Sequence, residues 1–145
     1  MPTTNNAEKL RAWLRQCPVI DRKLLFGADF MGENATEYGV FSVPSSIQYR
    51  ENILGEQVPQ MNQEQNFIFA AKAPYGTDIR QNLDNLGFWQ DVTSWILEQN
   101  QTHNLPDWDG GKVRAIYPTL TGAMVQAGSD TARYQLQLRV AYQIS

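Results

Sequence analysis

One histidine and one cysteine among 145 residues leave little room for nucleophilic or zinc chemistry. Any Cys–His or Ser–His mechanism must take its base from His103, which lies in a polar loop beside Asn104 and Pro106. Cys17 falls on the side of the first helix that should face the core, so a Cys17–His103 dyad is not expected. A single thiol also excludes an internal disulfide and a paired-cysteine zinc pattern, and its burial fits a reducing compartment.

Cations are in short supply as well. Twelve Lys and Arg against fifteen Asp and Glu give a net charge of -3, so no bulk positive field draws the chain to phosphate backbones. No apolar run approaches the roughly 20 residues needed to cross a bilayer. The opening MPTTNNAEKLRAW has neither the basic start nor the apolar stretch of a secretory signal. The expectation is a protein made and kept in the cytoplasm, with no membrane partner. The Asn34-Ala35-Thr36 and Asn100-Gln101-Thr102 triplets would then never meet a glycosylation machinery.

Glycine-rich phosphate loops and nucleophile elbows are missing too. Asp107-Trp108-Asp109-Gly110-Gly111 resembles the opening of a calcium loop, where closely spaced carboxylates supply hard oxygen ligands. The likeness fails where Lys112 replaces the glycine and Pro118 the closing glutamate. An ordinary turn is expected there, with no metal held by His103, Asp107 and Asp109. The reading is of no catalytic, cofactor-binding or metal residues, and no enzyme.

What is present is an ordinary globular composition, 42% hydrophobic, in a chain long enough to bury roughly 70% of its surface as a single domain over 1–145. Asn5 and Glu8 suit a helix start, and Leu10, Trp13, Leu14 and Cys17 recur at helical spacing before Pro18 ends the run. Residues 19–36 read as an irregular connection whose Leu24, Leu25 and Phe26 tuck under the core. Strands are expected at Glu37–Val43 and Phe67–Ala71. Thr77 or Asp78 can cap a long helix carrying Ile79, Leu83, Leu86, Trp89, Val92 and Ile96 on one stripe. Gly87 marks either a break or a tolerated bend in it.

Two further strands, Lys112–Tyr117 closed by Pro118 and Leu120–Ala127, lead through a Gly128-Ser129-Asp130 turn into the clearest signal of the chain. From Arg133 to Ile144 apolar and mostly polar residues alternate, as in a long half-buried antiparallel strand. The expected fold is α+β: a mainly antiparallel sheet with helices on one face, in the order α-β-(arm)-β-α-β-β-β.

The arm is the segment at about 45–65, too long to be an idle connection in a compact domain. It is expected to project as a hairpin and to offer Ile47, Tyr49, Ile53, Val58 and Met61 to another subunit, with Gln and Asn satisfying backbone groups across the contact. The edges of the sheet are expected to join that contact by strand pairing.

LRAWLRQCPVI, ENATEYGVFSVP, KAPYGTDIRQNLDNLGFWQDVTSWILEQN and SDTARYQLQLRVAY, taken together and in this order, resemble the tail terminator or tail-completion (minor capsid) proteins of phages and prophages of Gram-positive bacteria. The resemblance spans nearly the whole chain. It implies a homo-oligomeric ring, usually of six copies, that caps the tail tube at the head-proximal end of the virion tail and ends its polymerisation. The implied partners are further copies of the chain, the tail tube protein, the head-side connector or stopper protein and, in a contractile tail, the sheath protein. DNA only passes through the channel. The alternatives are a neighbouring head-completion or connector protein, and a small-molecule-binding or catalytic α+β protein with Tyr75, Trp108 and Tyr117 lining a pocket.

Overall fold

The computed structural model describes residues 6–21, 23, 24, 26–28, 37–74, 79–127 and 131–144, with side chains described for all of these except 28, 74, 79–82, 120–127 and 131. The proposed caps Asn5, Thr77 and Asp78, together with Leu25 and the turn at 128–130, lie outside the described residues. The first helix, α1 (Asn6–Leu14), buries Ala7, Leu10, Trp13 and Leu14. It stops before Pro18, and amides of Gln16 and Cys17 close its last turn by bonding the Trp13 and Leu14 carbonyls. Cys17 is buried there, as its spacing implied.

Strands β1 (Phe26–Ala28), β2 (Glu37–Val43), β5 (Asn62–Pro74), β6 (Asp107–Trp108), β7 (Gly111–Ala127) and β8 (Thr131–Ile144) form one six-stranded sheet, ordered β1-β2-β5-β8-β7-β6. Every pairing is antiparallel except β1 with β2. Strands β3 (Tyr49–Glu51) and β4 (Gln57–Pro59) form a separate hairpin between β2 and β5. The helix α2 (Ile79–Thr102) follows β5. Helices and a mainly antiparallel sheet make the fold α+β.

Alternation along β8 puts Tyr134, Leu136, Leu138 and Val140 on one face, where they meet Phe67 and Phe69 of β5 and Val40 of β2. Both helices cover that face, α1 through Leu10, Trp13 and Leu14 and α2 through Trp89, Val92 and Ile96. The two helices also touch, with the Trp13 and Trp95 rings 4.8 Å apart. Each fully buried side chain of this set contributes roughly 1.5–3 kcal/mol, as an upper estimate. The opposite face is mixed, with Gln135, Gln137 and Arg139 of β8 paired with Ala70, Ile68 and Asn66 of β5.

Several sequence expectations are corrected. The segment at 19–36 is not wholly irregular, since Phe26–Ala28 adds a parallel edge strand whose Phe26 is buried. Of the two readings left open at Gly87, helix α2 takes the tolerated glycine and runs through without a break, at a cost of only about 1 kcal/mol. Its six-residue stripe does not all face the core: Leu83 is 60% exposed and Leu86 48%. Steps of three residues turn a helix by about 300°, so the sequence 83, 86, 89, 92 slips about 60° per step and winds to the opposite side. The inward face instead takes Asn85, and Ile79 has no described side chain.

Pro118 does not end a strand, and the two expected strands are one, β7. The Ile116 amide points away from β8, where it donates to the Asn100 side chain. Pro118 is two residues further on with no register shift between them, so its missing N–H also belongs to the open side and costs the β8 ladder nothing. Strand β5 likewise begins earlier than expected. Asn62, Gln63, Glu64 and Gln65, all polar, pair with Gln143, Tyr142, Ala141 and Val140.

Candidate assembly surface

The arm is an ordered hairpin. Tyr49 pairs with Pro59, Arg50 with Val58 and Glu51 with Gln57. The Gln60 amide bonds the Gln48 carbonyl at 2.9 Å, carrying the ladder one step toward the root. At the tip Asn52 organises the turn: its Oδ1 accepts from the Leu54 and Glu56 amides, each at 2.9 Å. Gly55 supplies the left-handed conformation that the turn needs, with φ 80°.

The root is fixed by a side chain that the pattern of apolar residues could not reveal. Gln63 is buried, and its Oε1 accepts from the Gln48 amide at 2.9 Å. Its Nε2 donates to the carbonyls of Gln48 at 2.8 Å and Gln60 at 2.9 Å. One amide therefore ties both strands of the hairpin to β5. The Ile144 amide adds a bond to the Met61 carbonyl at 2.8 Å, and the Ser45 hydroxyl donates to the Val43 carbonyl while accepting from the Asn66 amide. The expectation that these glutamines reach across to another subunit is corrected at Gln63, which is spent within its own chain.

The five candidate contact residues divide between surfaces. Tyr49 shares a hairpin face with Pro59, and continuation of the ladder brings Ile47 and Met61 to the same side. All three hydrophobic side chains are more than half exposed, and Ile53 at the tip has no cover at all, at 101% of its reference area. Val58 belongs to the other face, half-buried opposite Arg50. Leu54, next to Ile53 at the tip and largely exposed, was missed because a residue in a turn has no periodicity to read.

The sheet edges are poorer candidates than expected. On β7, Asn100 occupies both backbone groups of Ile116, donating to the carbonyl at 2.7 Å and accepting from the amide at 2.9 Å, and Pro118 has no donor to offer. On β1, Arg11 Nε donates to the Phe26 carbonyl at 2.6 Å. Side chains and a proline thus block strand addition where they sit, and the arm is left as the more accessible contact.

Burial pushes the Cys17 thiol up, partly offset by the Val19 and Ile20 amides, the direction opposite to an activated nucleophile. His103 is exposed and closes α2 in the left-handed region at φ 58°. Asp107 and Trp108 pair with Lys112 and Gly111 to form a two-residue turn, with Gly110 at φ 82°. Lys9 holds Asp109 at 2.9 Å. Among the described residues no three metal-ligating side chains come together, and no helix is long and apolar enough to cross a membrane.

Beside that turn lies a cleft of about 640 Å³ lined by Lys9, His103, Leu105, Trp108, Lys112 and Arg114, among others. Trp108 is in it, but Tyr117 is exposed elsewhere on β7 and Tyr75 is outside the described residues, so the three aromatics do not form one pocket.

No protein-family model and no curated protein matches the sequence. Solved structures do match, among them a chain similar over 97% of this chain and 92% of its own, at 13% identity and a TM-score of 0.49.

Proposed function

We propose that the protein is a structural ring subunit of a phage tail, a terminator that caps the tail tube, ends its polymerisation and receives the head-side connector. The observation that carries this reading is the arm: a hairpin anchored through Gln63 that holds Ile47, Tyr49, Met61 and the Ile53–Leu54 tip out in solvent. A rigid projection with an apolar face loses little conformational entropy on docking and gains burial there. The resemblance in sequence supplies the assembly in which such a projection would be used. The net charge of -3 suits a channel wall that lets DNA pass without gripping it.

The ring is a homo-oligomer, of six copies by the resemblance, and its heterologous contacts require two different surfaces on each subunit. Deleting the gene from the phage or prophage that carries it tests the reading. Overlong or headless tails support it, whereas tails of normal length joined to heads contradict it. Normal tail length with unjoined heads would instead favour the neighbouring head-completion protein.

A further inference from the structure

A heterologous ring needs a second surface to receive the first, and α2 carries one. Leu83, Leu86, Gln90, Ser94 and Leu97 are all exposed, and at about 100° per residue they fall within one narrow stripe. It spans about 21 Å from Leu83 to Leu97 at 1.5 Å per residue. Asp84, Asp91 and Glu98, also exposed, recur every seven residues along one edge of it. Between residues 83 and 102 the chain has no Lys or Arg. This face is apolar and acidic, and nothing within the described chain covers it.

The opposite chemistry lies at the end of the sheet from which the arm projects. Asn62 at the arm root, Gln143 and Lys112 form a single row across β5, β8 and β7, so the arm root and the cleft stand about 10 Å apart. The cleft presents Lys9, Lys112 and Arg114 beside Leu105, Pro106 and Val113. Asp107 lies among them, Asp109 is taken up by Lys9, and Arg114 bonds the Gln143 side chain. The arm adds its apolar face. Arm and cleft are thus adjacent, the arm apolar from Ile47 and Met61 to Tyr49 with Glu51 toward its tip, and the cleft basic.

We infer that the exposed face of α2 in one copy docks against the arm and basic cleft of the next copy, the leucines meeting the arm and the carboxylates meeting Lys112 and Arg114. The inference rests on the ring reading for its choice of a second copy as occupant. Charge complementarity favours this heterologous contact, since an isologous one would face acidic α2 with acidic α2. Because the two surfaces differ, the contact is heterologous and propagates until it closes.

Sedimentation of the purified full chain at concentrations up to about 1 mM tests it. Wild type is expected to associate. Lys112→Glu with Arg114→Glu, and separately Asp91→Lys with Glu98→Lys, should each weaken association at least tenfold. All four changes in one chain should recover most of it, because the charges are exchanged and not removed. Wild type that stays monomeric throughout, either pair of changes leaving association intact, or a fourfold variant as weak as its parents would overturn the inference. Recovery in the fourfold variant also shows that the parents were not simply misfolded. The outcome is separable from the terminator reading: normal tails after gene deletion would remove that reading and leave a measured contact standing.

Discussion

Gln63 holds Gln48 by both of its backbone groups, the side-chain oxygen accepting from the amide and the side-chain nitrogen donating to the carbonyl. A side chain that copies the hydrogen bonding of a neighbouring strand in this way fixes where the arm leaves the sheet. Gln63→Ala removes three bonds from part-buried backbone groups, with an expected cost of about 1–3 kcal/mol. The loss should be local. Hydrogen exchange over 45–61 should speed up well beyond that of β8, and Gln63→Glu, which keeps only an acceptor, should speed it as well.

Asn100 performs the corresponding task on the edge of β7. Replacing it with Ala leaves the Ile116 amide and carbonyl without their partner and should lower stability by about 1–3 kcal/mol in urea titrations. The uncovered edge should also promote association through strand pairing, visible as increased light scattering at equal protein concentration.

His103 sits in the left-handed region at φ 58°, a conformation that glycine adopts without the steric cost other residues bear. His103→Gly is therefore expected to stabilise the protein by about 1 kcal/mol and to raise Tm by roughly 3–4 °C. Calorimetry reads this directly. No change, or a fall, would mean that the imidazole has a role the helix end does not explain.

Burial pushes the Cys17 thiol and the Tyr38 phenol above their ordinary values, although the Asp21 amide, bonded to the phenol oxygen at 3.2 Å, opposes the second shift. Both groups are favoured in their neutral form by the fold. Their contribution is complete below the unfolded values and is lost as pH rises through the folded ones. Tm should be flat from pH 7 to about 8 in this respect and decline as pH rises past about 8.5, where the unfolded thiol ionises. In Cys17→Ala the first part of that decline should disappear.

How far these features could be read from sequence depended on what the local pattern encodes. The alternation of β8 and the Leu10, Trp13, Leu14 spacing of α1 reflect burial on one face, and both were legible. The arm was legible as a long polar segment with scattered apolar residues. Its anchor was not, because Gln63 is an inward-facing position filled by a polar residue, satisfied only by contacts with Gln48 and Gln60. Strand β1 is three residues long and shows no alternation. Leu83 and Leu86 looked like core because steps of three are compatible with a helix, yet repeated steps of three drift around it. Pro118 looked like a terminator of β7, and only knowledge of which side its backbone presents shows otherwise.

The proposed ring subunit would sit at the head-proximal end of a tail and dock through its arm. Electron microscopy of intact particles carrying an epitope-labelled copy tests it most directly. Label is expected in a single ring where tail meets head, and is expected to be lost when Ile53 and Leu54 are both replaced by Asp. Label along the tube, at the distal tip or nowhere on the particle would contradict it.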